Sequence, residues 1–70
     1  MENKELIMYL SYRAKDGEII SQLDIRNPTV IPIIGDFLDD KNNNKFVVQK
    51  RTIRYNSHLD YLFIDAVCND

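Results

Sequence analysis

Two stretches of the 70-residue sequence combine residue types that could do chemistry. In the first, Asp40, Asn42 and Asn44 have the spacing of the first three ligands of a calcium-binding loop. However, Lys45 stands where such a loop needs glycine, and Arg51 stands where it needs a bidentate glutamate. We therefore interpret this stretch as a solvated polar loop and expect no metal ligands.

The second stretch holds Ser57, His58 and Asp60, the residue types of a hydrolase triad. Side chains that follow one another on a strand point to opposite faces, whereas a triad requires three converging groups. Cys68 is the only cysteine and is best interpreted as a small apolar residue. The sequence thus predicts no catalytic and no cofactor-binding residue, and we expect a protein that is not an enzyme.

Composition limits the classes of partner. The formal net charge is −2, so the chain as a whole does not attract nucleic acid or a membrane surface. Residues 1–70 are expected to form one domain, and a core this small is usually reinforced by disulfides, metal or self-association. A single cysteine excludes an internal disulfide, which favours a homodimer or higher oligomer. A lone thiol without a visible export signal favours a cytoplasmic location.

The clearest local signal is a hairpin that turns at Asp16-Gly17. A two-residue loop there pairs residues whose numbers sum to 33. One face then receives mainly apolar residues, namely Met8, Leu10, Tyr12, Ala14, Ile19, Ser21, Leu23 and Ile25. The other face is mainly polar but includes Ile7, Tyr9 and Ile20. A shift by one residue would mix the two sets, so pattern and turn support the same register.

Residues 29–38 are apolar but contain Pro32 and Gly35, which disfavour a helix interior. We interpret them as an extended crossing segment with a turn at Gly35 and a short strand leading into Leu38. A helical turn is the alternative, because the apolar spacing also fits one helix face.

Two further strands are predicted after the polar loop, Lys45 to Tyr55 and Leu59 to Cys68, joined by a tight turn at Asn56-Ser57. The apolar positions of the first of these change parity, which indicates a β-bulge near Gln49-Lys50. Both faces of the last strand are apolar, so it should be central or lie in an interface. The sequence therefore predicts an all-β protein, either a small five-stranded SH3-like barrel or a twisted antiparallel sheet built from two hairpins.

More apolar side chains are present than so small a core can bury, and some lie beside arginine, as is typical of protein interfaces. The leading prediction is a small non-enzymatic protein-binding module. Its predicted contact residues are Ile7, Tyr9, Ile20, Arg51, Arg54, Tyr61 and Phe63.

Two other functions remain open. The basic strand could bind single-stranded nucleic acid through Lys50, Arg51, Arg54 and Tyr55, although nearby aspartates disfavour this. A nucleotide or small ligand could also be sequestered at an oligomer interface, for which the sequence has no motif.

The run Pro32-Ile33-Ile34-Gly35-Asp36, followed by Phe46-Val47-Val48-Gln49-Lys50-Arg51, resembles small uncharacterised β proteins common in phages and prophages of Gram-positive bacteria. The resemblance implies a phage-type setting in a bacterial cytoplasm and carries no catalytic residues. It also implies a partner among host proteins, including proteins of anti-phage defence. In physical terms, Gly35 would supply a tight turn and Asp36 would cap neighbouring backbone amides.

Overall fold

The computed structural model describes residues 5–69, which form five β-strands in one sheet and no helix. The strands are β1 (Glu5–Arg13), β2 (Ile19–Arg26), β3 (Phe37–Asp39), β4 (Lys45–Tyr55) and β5 (Leu59–Cys68). The predicted all-β class is confirmed, as are the predicted limits of β4 and β5. Within residues 5–69 there is no helix of the length and apolar character needed to cross a membrane.

The sheet has the strand order β2-β1-β5-β4-β3 and curls into a half-barrel. β5 lies at its centre, as its two apolar faces predicted. Its neighbours differ, because β4 pairs with it antiparallel while β1 pairs with it in parallel, from Glu5 opposite Leu59 to Arg13 opposite Val67. This parallel pairing was not predicted from the sequence. The result is an elongated molecule with extents of 45 × 20 × 19 Å.

The register of the first hairpin is confirmed along most of its length, from Ile7 opposite Arg26 to Tyr12 opposite Ser21. The predicted two-residue loop is wrong. The N–H of Gly17 donates to the carbonyl of Ala14 (2.9 Å), and the N–H of Ala14 donates to the carbonyl of Glu18 (2.8 Å), which leaves three residues in the loop. Gly17 has a φ of 93°, whereas Asp16 lacks the positive φ that a two-residue type I′ loop requires.

The longer loop exchanges the faces of the sheet on which Ile19 and Ile20 lie. The register shifts beside Tyr12, so Arg13 pairs with Ile19 instead of Ile20. Ile20 lines a cleft together with Tyr12 and Leu23, on the side of the sheet that holds the core. The prediction that Ile20 lies among the polar residues of the other face, and Ile19 on the apolar face, is therefore wrong.

The core lies on one face of the curled sheet and combines β1, β4 and β5. We call this the inner face and the opposite side the outer face. Seven side chains are buried there, namely Met8, Leu10, Phe46, Val48, Leu62, Ile64 and Ala66. Tyr12 packs its ring edge-on against Phe46, with 4.8 Å between ring centroids.

The bulge predicted in β4 is confirmed. Val48 pairs with Ala66 and Lys50 pairs with Asp65, so Gln49 is the extra residue. Because of it, both Val48 and Ile53 lie opposite inner-face residues of β5 even though their numbers differ in parity.

Residues 27–36 join the two edge strands and contain no strand or helix, so the extended interpretation is confirmed over the helical alternative. Gly35 makes the expected turn, with a φ of 97°. A carboxylate oxygen of Asp36 accepts the N–H of Ile33 at 2.9 Å, which is the capping contact expected of it. Pro32 is buried within this segment.

Candidate functional site

Three aromatic side chains meet on the outer face, at the middle of the sheet. Tyr9 of β1 lies directly opposite Phe63 of β5, and Tyr61 is two residues before Phe63 on the same face. Arg54 of β4 lies opposite Tyr61. We call these four residues the aromatic patch. They are four of the seven residues predicted to contact a protein partner, and a fifth, Ile7, lies beside them opposite Tyr61.

The three rings are close to parallel with one another. The centroids of Tyr9 and Phe63 are 5.1 Å apart with 13° between ring planes, and those of Tyr9 and Tyr61 are 6.0 Å apart with 23°. Tyr61 and Phe63 are 6.5 Å apart. Such pairs stabilise one another by about 0.5–1.5 kcal/mol beyond the area that they bury. The rings are thus held in fixed positions while Phe63 remains 36% exposed and the two tyrosines half-buried.

Arg54 supplies the positive charge of the patch. Its guanidinium carbon lies 5.3 Å from the centroid of Phe63, within the range of a cation–π contact. Two other outer-face arginines have carboxylate partners: Arg13 lies 3.5 Å from Asp65, and Arg26 forms an ion pair with Glu5. The patch therefore offers aromatic area with one stacked guanidinium.

A small hollow of about 130 Å³ adjoins the patch on the side of β2. Its walls include Tyr9, Phe63, Ser11, Gln22 and Asp24. A partner side chain entering here would meet two aromatic residues and several hydrogen-bonding groups, a combination that suits an anchoring residue at an interface.

The structure separates the residues predicted to bind nucleic acid. Lys50 and Arg54 lie opposite outer-face residues, whereas Arg51 lies opposite buried Ile64 and Tyr55 lies opposite Asp60 on the inner face. The Nε of Arg51 is buried and has no hydrogen-bond partner among the described residues. This separation could have been predicted from the sequence, because side chains alternate between faces along a strand, and positions 51 and 54 are an odd number of residues apart. Arg51 therefore does not join the aromatic patch either.

A larger cleft of about 510 Å³ lies on the inner face, where the half-barrel is open. Its apolar floor is formed by Tyr12, Ile20 and Leu23, and its rim by Asp39 at the end of β3 and residues 40–42 of the β3–β4 loop. Of the residues predicted to contact a partner, Ile20 lies here, away from the patch. The sequence did not predict this cleft, because it depends on how far the sheet curls.

The Asp40 carboxylate organises the β3–β4 loop by accepting hydrogen bonds. One carboxylate oxygen of Asp40 accepts the backbone N–H groups of Asn42 and Asn44, at 2.8 and 2.9 Å, and the other accepts the Asn44 side-chain amide. Burial raises the pKa of Asp40, but these bonds and the charge of Lys41 outweigh it, so the net pKa lies below its ordinary value. No group of three or more His, Cys, Asp or Glu residues suited to a metal ion occurs within residues 5–69.

The same loop influences Tyr12 across the cleft. Burial, followed by the negative charge of Asp40, raises the pKa of the Tyr12 hydroxyl above its ordinary value. That hydroxyl is accordingly neutral near pH 7 and can act as hydrogen-bond donor or acceptor at the cleft.

Comparisons with protein-family models, with curated proteins and with solved structures found no match for this chain.

Proposed function

We propose that this protein is a small non-enzymatic binding module that recognises another protein through the aromatic patch. The observation that carries the proposal is the set of three stacked rings with Arg54 over one of them, half-exposed on a rigid sheet. Aromatic residues and arginine are the types that dominate the binding energy of protein interfaces. Rings held in place by one another lose little conformational freedom on binding, which favours affinity.

The resemblance to phage and prophage proteins supports a bacterial host protein as the partner, and inhibition of a defence protein as the consequence. On this proposal the module acts by covering a surface of the host protein through aromatic contacts, since two of the outer-face arginines already have carboxylate partners.

The test is affinity capture from lysate of a Gram-positive bacterium, with the wild-type chain and two single variants as bait. Tyr61→Ser removes one ring of the patch. Tyr55→Ser makes the same chemical change at an inner-face tyrosine that is 71% exposed. We expect one stoichiometric host protein to be retained by the wild type and by Tyr55→Ser and lost with Tyr61→Ser.

Circular dichroism of both variants shows whether each remains folded before capture. Recovery of no stoichiometric protein by the wild type contradicts the proposal. Equal capture by Tyr61→Ser contradicts it as well, because the partner would then bind elsewhere on the molecule.

The inner-face cleft favours one second candidate, the binding of a small ligand. Its volume of about 510 Å³ is within the range of roughly 300–1,000 Å³ that is usual for ligand sites, and it combines an apolar floor with a polar rim. A thermal-shift screen of nucleotides and small amphipathic compounds tests this. The comparison variant is Leu23→Asp, which places a carboxylate on the apolar floor of the cleft. Stabilisation of both proteins by the same compound would contradict binding in the cleft.

A further inference from the structure

β2 is a long and mostly exposed edge strand. It runs for eight residues, from Ile19 to Arg26, and every one of them except Ile25 is exposed. In the strand order of the described residues, β1 is its only neighbour. Ile20 and Leu23 remain 53% and 46% exposed, although they lie on the face that elsewhere holds the core.

The hydrogen-bond pattern shows which backbone groups of β2 face away from β1. The N–H of Asn27 donates to the carbonyl of Leu6, so this pair is of the hydrogen-bonded type. Such pairs alternate along an antiparallel ladder. Ser21, Leu23 and Ile25 consequently direct their N–H and C=O groups towards β1. Gln22, Asp24 and Arg26 direct theirs to the free edge.

Natural sheets protect such edges with prolines, lysines, bulges or short strands. The other edge strand here, β3, has only three residues. In β2, the register shift beside Tyr12 protects one end and Pro28 follows the other end, but the central residues 21–26 have neither device. Long unprotected edges with apolar side chains are sites where a further strand adds to a sheet.

We propose that β2 pairs antiparallel with β2 of a second copy of this chain, centred on Leu23, so that two half-barrels share one ten-stranded sheet. In this register Leu23 of each copy meets Leu23 of the other on the inner face. Gln22 of each copy lies opposite Asp24 of the other on the outer face, where the amide can donate to the carboxylate.

Charge and length select this register. Centring the pair on Asp24 would place two like charges directly opposite each other, which destabilises a sheet. Centring it on Ile25 would carry the pairing past the end of β2 into Asn27, whose φ is 50°, and Pro28. A centre at Leu23 uses residues 21–25, all of them within the strand and clear of the register shift.

A second copy fits this edge better than an unrelated peptide, because the edge is complementary to itself. Its outward donors and acceptors are repeated by the two-fold axis, and its charges, Asp24 and Arg26, cancel. The dimer would also place the two aromatic patches on the same side of one continuous sheet, so a dimeric partner would be bound at two points with a gain from effective concentration.

The test compares Asp24→Pro with Asp24→Ala by sedimentation equilibrium over micromolar concentrations. Proline removes the outward N–H of residue 24 and places its ring at the edge, while the bonds of Leu23 and Ile25 to β1 remain. Alanine removes the same carboxylate and keeps the N–H. We expect wild type and Asp24→Ala to be dimeric, and Asp24→Pro to dissociate with a dissociation constant raised at least about tenfold.

Hydrogen exchange of the wild type gives a second readout that does not depend on a variant being folded. Raising the protein concentration should slow exchange at the amides of Gln22 and Asp24, while those of Leu23 and Ile25 are protected throughout. A wild-type monomer at high micromolar concentration would overturn the proposal, as would exchange at Gln22 and Asp24 that does not change with concentration. Equal capture of the host protein by Tyr61→Ser in an intact dimer would contradict the aromatic patch alone, so the two proposals fail separately.

Discussion

At the scale of single residues, Tyr9 connects fold and proposed function, because it contacts both other rings of the patch. We expect Tyr9→Ser to lower the free energy of unfolding by about 1–3 kcal/mol, since two ring contacts of about 0.5–1.5 kcal/mol each are lost. The fold should be retained, because Tyr9 lies outside the buried core. Urea unfolding followed by circular dichroism measures this.

Tyr55→Ser is the matched control for that experiment, and we expect it to lower the free energy of unfolding by less than Tyr9→Ser does, because the Tyr55 side chain is 71% exposed. Loss of cooperative unfolding in Tyr9→Ser would show that the outer-face rings belong to the core of the fold.

Asp40 provides a prediction about pH. Its pKa is lowered in the folded protein, so its contribution to stability is present above the ordinary aspartate pKa and is lost as the pH falls through the lowered value. We expect the amide signals of Asn42 and Asn44 in NMR spectra to titrate together on acidification, with a midpoint below that of an ordinary aspartate. In Asp40→Asn these shifts should be absent. A midpoint above the ordinary value would contradict the hydrogen-bonding role described here.

At the scale of elements, the bulge in β4 determines which face each side chain occupies. Deleting Gln49 joins Val48 directly to Lys50. These two residues already pair with consecutive residues of β5, Ala66 and Asp65, so every observed pair stays on its original face. We expect this deletion to fold cooperatively, with less local twist. Circular dichroism and thermal unfolding measure the outcome.

Deleting Val47 is the control, because loss of the bulge cannot compensate for it. Phe46 and Val48 become neighbours in the chain, so one of these two buried side chains must turn to the outer face. We expect a large loss of stability or no folded protein. Equal stability of the two deletions would mean that the register of β4 is not fixed by its side chains.

The elements also show what the sequence could and could not reveal. The limits of β4 and β5, the bulge and most of the first register follow from alternation, because one face of each strand must be apolar. The loop at Asp16-Gly17 was predicted wrongly because this dipeptide suits both a two-residue loop and a three-residue loop whose last residue has positive φ. That single residue of loop length decides whether Ile19 or Ile20 lies on the inner face.

The position of the candidate site was only partly accessible from sequence. Tyr9 was predicted on the outer face of the hairpin, and Tyr61 and Phe63 share one face of β5. Their meeting depends on the pairing of β1 with β5, which brings together residues more than fifty positions apart. No local pattern records such a pairing, since a parallel neighbour leaves the same alternation as an antiparallel one.

At the scale of the whole molecule, a small sheet with one buried face is only marginally stable. If β2 pairs with a second copy, dimer formation stabilises the folded state by mass action. We expect the unfolding midpoint of the wild type to rise by several degrees when protein concentration is raised about a hundredfold, by the linkage between binding and stability. Differential scanning calorimetry measures this midpoint.

Asp24→Pro is the control and should show an unfolding midpoint that is independent of protein concentration. The same concentration dependence in wild type and Asp24→Pro would contradict pairing through β2.

The parallel pairing of β1 with β5 also determines the order in which the chain can fold. The β1–β2, β3–β4 and β4–β5 hairpins are local and can form within microseconds of one another. The two halves of the sheet can join only when the last strand is available, because β1 pairs with residues more than fifty positions later in the sequence. We therefore expect folding to be slow for a protein of this length, as is usual where non-local contacts dominate. During synthesis, β1 leaves the ribosome before β5, the strand it pairs with at the centre of the sheet. The apolar side chains of Met8 and Leu10 therefore stay exposed until β5 has been synthesised.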